Sequence, residues 1–195
     1  MSGHNCRPAL FLDRDGVINI DHGYVHRIED FDFLPGIFDL VRFAVYELDW
    51  PVIVVTNQAG IGRGLFDENT FEFLTVWMCE RFAREGAPLT KVYHCPYHPV
   101  HGIGEYRRDH SWRKPNPGMI LKAQSDFNLD VARSVLIGDR PTDMQCATAA
   151  GIGLAMMLTP ESQARPAMTA LAVRDLLEAL ALLRARFSVS ATAST

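Results

Sequence analysis

Short apolar runs alternate with amphipathic segments along this chain, which implies an α/β domain built on a parallel sheet with right-handed crossovers. Two further observations agree. The runs are partly β-branched and hydrophobic throughout, as strands buried on both faces must be. Several of them stop abruptly at a polar residue, and ligands of such sheets collect beyond the carboxyl ends of the strands.

The elements can be justified in order. Ala9, Leu10, Phe11 and Leu12 form a first strand that stops at Asp13. Ile37, Leu40, Val41, Ala44, Val45 and Leu48 recur at the spacing of one helix face. Trp50 and Pro51 precede a second strand, residues 52–55, which stops at Thr56. Phe71, Leu74, Met78 and Phe82 mark another helix, with Asp67 as its cap. Residues 91–94 form a third strand, ending at Cys95. Residues 95–114 are rich in His, Gly, Arg and Pro, and an irregular stretch of that length is either functional or disordered. Asn116 followed by Pro117 reads as a helix cap with proline at the first helical position. A fourth strand, residues 134–137, stops at Gly138 and Asp139. Thr142 reads as the cap of a small helix ended by Gly151. Residues 153–157 form the last strand, and residues 171–186 a final amphipathic helix. The small, polar tail of residues 188–195 is expected to fray.

Bulk properties narrow the function. A chain of 195 residues suits one domain and is short for two, so a single domain over residues 1–195 is expected. A net charge of -4 argues against a general role on nucleic acid. Residues 1–8 are polar and do not read as a signal peptide, and no apolar run approaches the roughly 18 residues of a membrane helix. Cys6, Cys79, Cys95 and Cys146 form no C-x-x-C pair. Thiols rather than disulfides, in a cytoplasmic setting, are therefore expected.

Four polar segments carry the candidate chemistry. Asp13, Arg14, Asp15 and Gly16 follow the first strand, with two carboxylates two residues apart. Thr56, Asn57 and Gln58 follow the second and offer a hydroxyl and two amides to phosphate oxygens. Arg113 and Lys114 supply cations that can neutralise a phosphoryl group. Asp139 and Asp143 add two carboxylates after the fourth strand, and carboxylates with water are the ligands Mg²⁺ prefers. Each segment alone has an ordinary reading as a polar turn, a solvated lysine or a capped strand–helix loop. Their order, each at a strand end, is what gives them meaning together.

These segments resemble the four motifs of the haloacid dehalogenase superfamily: D-x-D-G, a strand ending in Ser or Thr, a lone Lys, and G-D-x-x-x-D. The resemblance covers roughly residues 9–157. It implies a Rossmann-like three-layer sandwich with a central parallel sheet and no cap domain. It also implies an Asp13 nucleophile that ligates Mg²⁺ and an Asp15 general acid/base that touches the metal through its carbonyl. Thr56 and Lys114 would hold the phosphoryl group, with Asp139 a metal ligand and Asp143 a supporting one. Residues 11–16 with Asn19, Asp21, His22, Gly23, Tyr24 and Val25 are similar to the D-glycero-D-manno-heptose 1,7-bisphosphate phosphatase family. So are residues 56–61 with Arg63 and Gly64, and Arg113, Lys114, Pro115, Pro117, Gly118 and Met119.

That resemblance implies substrate contacts from Asp21, His22, Gly23, Tyr24, Asn57, Gln58, Ala59, Arg113 and Arg140. It implies removal of the C7 phosphate in nucleotide-activated heptose synthesis, for lipopolysaccharide or capsule. Histidinol-phosphate phosphatase is the alternative enzyme. A non-catalytic phosphate-binding protein on the same scaffold is the alternative class. The expected partner is a small sugar phosphate, with no nucleic acid or membrane, acting on a monomer. The Gly60, Gly62 and Gly64 run reads either as a backbone nest for an anion or as a flexible turn. One departure from the family is clear. Its structural zinc is held by C-x-H and C-x-C, but only Cys95 survives here, with Tyr97, His110 and Trp112 at the other ligand positions. Tyr and Trp are not zinc ligands, so a zinc-free loop is expected, although Cys95 with His98, His101 and His110 offers a conceivable substitute.

Overall fold

The computed structural model describes residues 6–159 and 170–187. The expectation for residues 188–195 lies outside them. Six parallel strands form the sheet: β1 (Leu10–Leu12), β2 (Val52–Asn57), β3 (Lys91–Cys95), β4 (Val135–Gly138), β5 (Leu154–Leu158) and β6 (Leu171–Val173). Their spatial order is β3-β2-β1-β4-β5-β6, and every adjacent pair is parallel. The helices are α1 (Ile37–Arg42), α2 (Ala59–Gly62), α3 (Glu68–Arg84), α4 (Gly118–Phe127), α5 (Pro141–Ala150) and α6 (Leu176–Phe187).

Alternation within the strands builds two cores. Leu10, Leu12, Val52 and Val54 pack on one face with Leu40 of α1, Leu74, Met78 and Phe82 of α3, and Leu180 of α6. Phe11, Ile53 and Val55 face the other way, against Ile120 of α4 and Met144 and Ala147 of α5. Both faces are covered, which is why these strands read as unbroken apolar runs.

Four expectations need correction. There are six strands where five were expected. The chain at Leu171–Val173 pairs beside β5 as β6, and the helix starts only at Leu176. A short exposed-to-buried alternation at a sheet edge looks the same as the first turn of an amphipathic helix, and only the partner strand separates them. Asn116 does not cap α4. Pro117 holds the cap position, and the Asn116 amide donates to the His110 carbonyl instead. Thr142 does not cap α5 either. Arg140 is the cap residue, and its backbone N–H donates to Asp143 Oδ2 at 3.0 Å. The Ile37 helix is α only to Arg42 and continues as a π-type turn, Phe43–Glu47. Two expected termini are found: Asp67 Oδ1 accepts from Thr70 N at 2.8 Å, and Gly151 ends α5 at φ +76°.

The chain runs outward from β1 through β2 to β3, returns to β4 beside β1, and continues to β5 and β6. The sheet reverses direction at β1 and β4, so the loops after these strands diverge and leave a crevice at their carboxyl ends.

Candidate active site

The crevice is a cleft of about 540 Å³. Asp13, Asp15, Asp21, Gly23, Tyr24, Thr56, Asn57, Gln58, Ala59, Arg113, Lys114 and Arg140 all line it, as do His98, Pro141 and Thr142. Residues from four separate strand ends thus meet. Of the expected contact residues His22 is the exception: it is exposed and its Nε2 lies 2.8 Å from Asp32 Oδ2.

Asp13 is held at the end of β1 by its own N–H, which donates to the Ile137 carbonyl at 3.0 Å. Its Oδ1 accepts from Arg14 N at 2.7 Å and lies 2.8 Å from Lys114 Nζ. Lys114 is only 3% exposed. It also reaches Asp143 Oδ1 at 2.6 Å and donates to the Val55 carbonyl at 2.9 Å. Asn57 fixes the Lys114 backbone from both sides, donating to its carbonyl and accepting from its N–H, each at 3.0 Å.

Asp15 is surrounded by donors. The buried Arg14 guanidinium pairs with both of its oxygens, at 2.9 Å from NH2. Asn19 donates to Oδ1 and Gln58 to Oδ2, each at 3.0 Å. The Gln58 amide also reaches Thr56 Oγ1 at 2.9 Å, so it ties the Asp15 and Thr56 side chains together. The sequence motif assigns Arg14 no role. It is 1% exposed, donates to the Val25 carbonyl and lies over Phe71. A charged residue inside a polar turn gives no sequence sign of such burial.

The acidic side of the cleft suits a divalent cation. Asp13, Asp139 and Asp143 bring one carboxylate oxygen each within 4.8 Å of one another. Burial pushes Asp13 up to about 7; Lys114 opposes this, and Asp143 and Asp139 add to it. Burial also pushes Asp139 up to about 6, reinforced by Asp143 and resisted by Arg140. Burial works to lower the Lys114 pKa, but Asp13 and Asp143 outweigh it and the net direction is upward. Two of the three carboxylates, Asp13 and Asp143, pair with the Lys114 ammonium, and Asp139 Oδ1 is buried without a hydrogen-bond partner. Asp143 is already used by Lys114 and by the Arg140 N–H. The uncommitted oxygens are on Asp13 and Asp139, where a Mg²⁺ would complete them. Gly16 makes the arrangement possible. It sits at φ +86°, and a Cβ there would lie 2.2 Å from Asp139 Oδ2.

The two arginines of the cleft differ. Arg140 pairs with Asp21 Oδ2 at 2.6 Å and lies 3.8 Å from Asp139 Oδ2. Arg113 donates to the Tyr97 carbonyl at 2.9 Å and has no ion pair among the described residues. Burial draws its pKa down.

The loop between β3 and Lys114 is built from rings. Tyr97 stacks on His110 at 4.4 Å and Arg108 covers its ring at 4.3 Å, while Trp112 meets Tyr93 edge-on at 6.0 Å. His98 Nδ1 and His110 Nδ1 each accept backbone N–H bonds within this loop. Cys95 is buried. One glycine of the Gly60, Gly62 and Gly64 run belongs to this packing. Gly62 lies against the loop, where a Cβ would meet the Pro96 carbonyl oxygen at 2.4 Å.

A parallel sheet whose crevice holds this acidic group, a buried lysine and a strand-end threonine defines a haloacid dehalogenase-type hydrolase. The family model described as HAD-hyrolase-like matches residues 111–179. The D-glycero-alpha-D-manno-heptose-1,7-bisphosphate 7-phosphatase of Burkholderia mallei (strain ATCC 23344) is 54% identical over 165 residues, covering 85% of this chain and 87% of the relative. The D-glycero-beta-D-manno-heptose-1,7-bisphosphate 7-phosphatase of Vibrio cholerae is 47% identical over 152 residues, covering 78% and 81%. The crystal structure of D,D-heptose 1.7-bisphosphate phosphatase from B. bronchiseptica, complexed with magnesium and phosphate, superposes with a TM-score of 0.77 at 27% identity, covering 92% of this chain and 99% of that one. The chain belongs to the heptose-1,7-bisphosphate 7-phosphatase family of the haloacid dehalogenase superfamily.

Proposed function

We propose that this protein is a Mg²⁺-dependent phosphatase that removes the C7 phosphate of D-glycero-D-manno-heptose 1,7-bisphosphate. The observation that carries this reading is a cleft lined by two cations in different states of pairing. Lys114 is held by the acidic group, and Arg113 has no ion pair among the described residues. A bisphosphate uses both, whereas histidinol phosphate brings a cationic amine to the second. The names of the relatives at 54% and 47% identity support the same substrate. They differ in the anomer, so both anomers belong in the assay.

The roles follow from the contacts. Arg14 N–H and Lys114 engage Asp13 Oδ1, which orients the carboxylate with its other oxygen toward phosphorus. Attack forms the aspartyl phosphate and breaks the bond from phosphorus to the C7 oxygen. Asp15 gives that oxygen a proton, then takes one from the water that attacks the phosphoenzyme and releases phosphate. Thr56 and Lys114 hold the phosphoryl oxygens. Gln58 and Asn57 act at one remove, setting Asp15 with Thr56 and the Lys114 backbone respectively. Asp13, Asp139 and the Asp15 carbonyl would hold Mg²⁺, with Asp143 in support, and the ion would supply charge neutralisation. Asp21, Gly23, Tyr24, Ala59 and Arg140 shape the sugar end of the cleft.

The protein works as a single capless domain, a cytoplasmic monomer, in nucleotide-activated heptose synthesis for lipopolysaccharide or capsule. Among the described residues no helix is long and apolar enough to cross a membrane. Steady-state kinetics test the reading. The kcat/KM for heptose 1,7-bisphosphate is expected to exceed that for histidinol phosphate by about 10⁴-fold, the scale on which unpaired polar groups reject a wrong substrate. Equal or better turnover of histidinol phosphate would overturn it.

A further inference from the structure

His98 lines the cleft beside Arg113 but has no part in the reaction described above. Its environment fixes its chemistry. The His98 N–H donates to the Tyr106 carbonyl at 3.1 Å, and its own carbonyl accepts from Gly102 N at 3.1 Å. Its Nδ1 accepts from two backbone donors, Val100 N at 3.2 Å and His101 N at 3.0 Å. A nitrogen that accepts two N–H bonds carries no proton, so the neutral ring bears its proton on Nε2. Protonation of Nδ1 would set N–H against N–H. Burial lowers the His98 pKa, and Arg113, His101 and Arg63 lower it further, in the same direction as the two backbone donors on Nδ1. The His101 ring lies 4.7 Å away, tilted by 37°. Among the described residues Nε2 has no hydrogen-bond partner.

The charge around this donor indicates what it meets. Arg140, on the other side of the cleft, is engaged by Asp21 and approached by Asp139. Arg113 has no ion pair among the described residues, Asp109 acting on it only through its field, and Arg63 contributes a further positive field. Arg63 also lies over the Tyr24 ring and donates to its hydroxyl. An N–H donor beside an unpaired guanidinium, in a cationic corner, suits an anionic oxygen better than a sugar hydroxyl.

We infer that His98 is a specificity-determining residue, donating from Nε2 to the substrate's non-reacting phosphate alongside Arg113. The inference rests on the proposed bisphosphate substrate. It extends recognition to a residue of the β3 loop whose Nδ1 is held as an acceptor by the loop itself.

The two nitrogens can be tested separately, because an asparagine oxygen replaces Nδ1 as the loop acceptor, while a glutamine amide reaches toward Nε2 as a donor. Kinetics of wild type, His98→Asn and His98→Gln are measured on heptose 1,7-bisphosphate, heptose 7-phosphate and p-nitrophenyl phosphate. For His98→Asn we expect KM for the bisphosphate to rise about ten- to a hundredfold with kcat little changed, the scale of one lost hydrogen bond to a charged group. Values on heptose 7-phosphate and p-nitrophenyl phosphate should stay near wild type, and His98→Gln should recover part of the loss. An unchanged bisphosphate KM overturns the inference. So does an equal loss on all three substrates, which would mean that His98 only shapes the loop. A loss shared by both heptose phosphates but not by p-nitrophenyl phosphate would give the donor to the sugar and also overturn it. A wild-type enzyme inactive on the bisphosphate would overturn the proposed function together with this inference. Activity in wild type with no change in His98→Asn would overturn this inference alone.

Discussion

Asp13 shows how far a single side chain depends on its neighbours. It is a carboxylate in a buried acidic group, yet one oxygen is pinned by a backbone N–H and an ammonium. Asp13→Asn preserves the shape and leaves Lys114 paired with Asp143. We expect the variant to fold with a near-native melting temperature and to lose at least about 10³-fold in kcat, as covalent nucleophiles do when removed. Activity within tenfold of wild type would exclude the aspartyl-phosphate route. Arg14 carries the complementary lesson. Read in sequence it is the variable position of a D-x-D motif, but in the fold it is a buried clamp on Asp15. Gln58 and Asn57 are similar: their amides are spent on protein partners that set the reacting groups.

Two elements bound the cleft, α2 and the loop after β3, and their contact depends on Gly62. The Gly62 carbonyl accepts from Ile103 N at 2.7 Å, and an added Cβ would meet the Pro96 carbonyl oxygen and, at 2.9 Å, Tyr106 Cβ. Backbone cannot yield as a flexible side chain can. Gly62→Ala should therefore cost about 1–3 kcal/mol, the usual range for overpacking, read as a lower denaturation midpoint. An unchanged midpoint would show that the loop adapts. The loop interior makes a second prediction. Tyr97, His110 and Trp112, at three positions where the resemblance implies zinc ligands, pack ring against ring under Arg108, and the His98 and His110 Nδ1 atoms are occupied by backbone donors. Elemental analysis of the purified protein should find no stoichiometric zinc, and Mg²⁺ alone should restore activity after chelation. One tightly held zinc per chain would refute this.

The sheet gathers more negative charge at one end than Lys114 balances, and this couples metal, pH and stability. In the metal-free protein the Asp13 and Asp139 carboxyls are raised to about 7 and about 6 from an ordinary 3.8. A carboxyl raised on folding binds its proton more tightly in the native state. The associated stability is complete below the unfolded value and is lost as pH rises through the native one. Mg²⁺ competes with those protons, so its stabilising effect should grow with pH. Thermal melts should show a larger Mg²⁺-induced rise at about pH 8 than at about pH 5, since proton release accompanies metal binding between those limits. A rise independent of pH would mean that the metal does not meet these carboxyls.

Much of this was legible in the chain. Unbroken apolar runs ending at Asp13, Thr56 and Asp139 locate buried parallel strands and the residues at their tips, because burial of a strand on both faces, and its end at the first polar residue, are local demands on the chain. The spacing of Asp13 from Asp15, and of Asp139 from Asp143, carried the acidic chemistry for the same reason. Partners remote in the chain were not legible. β6 is a strand because β5 lies beside it, and the Asn116 amide turned to His110 rather than capping α4. Arg14 is buried because Val25 and Phe71 close over it, and His98 faces the cleft because the loop's own backbone holds its other nitrogen. Periodicity records which face a residue presents. The partner it meets depends on packing between segments far apart in the chain, and only the folded arrangement supplies it.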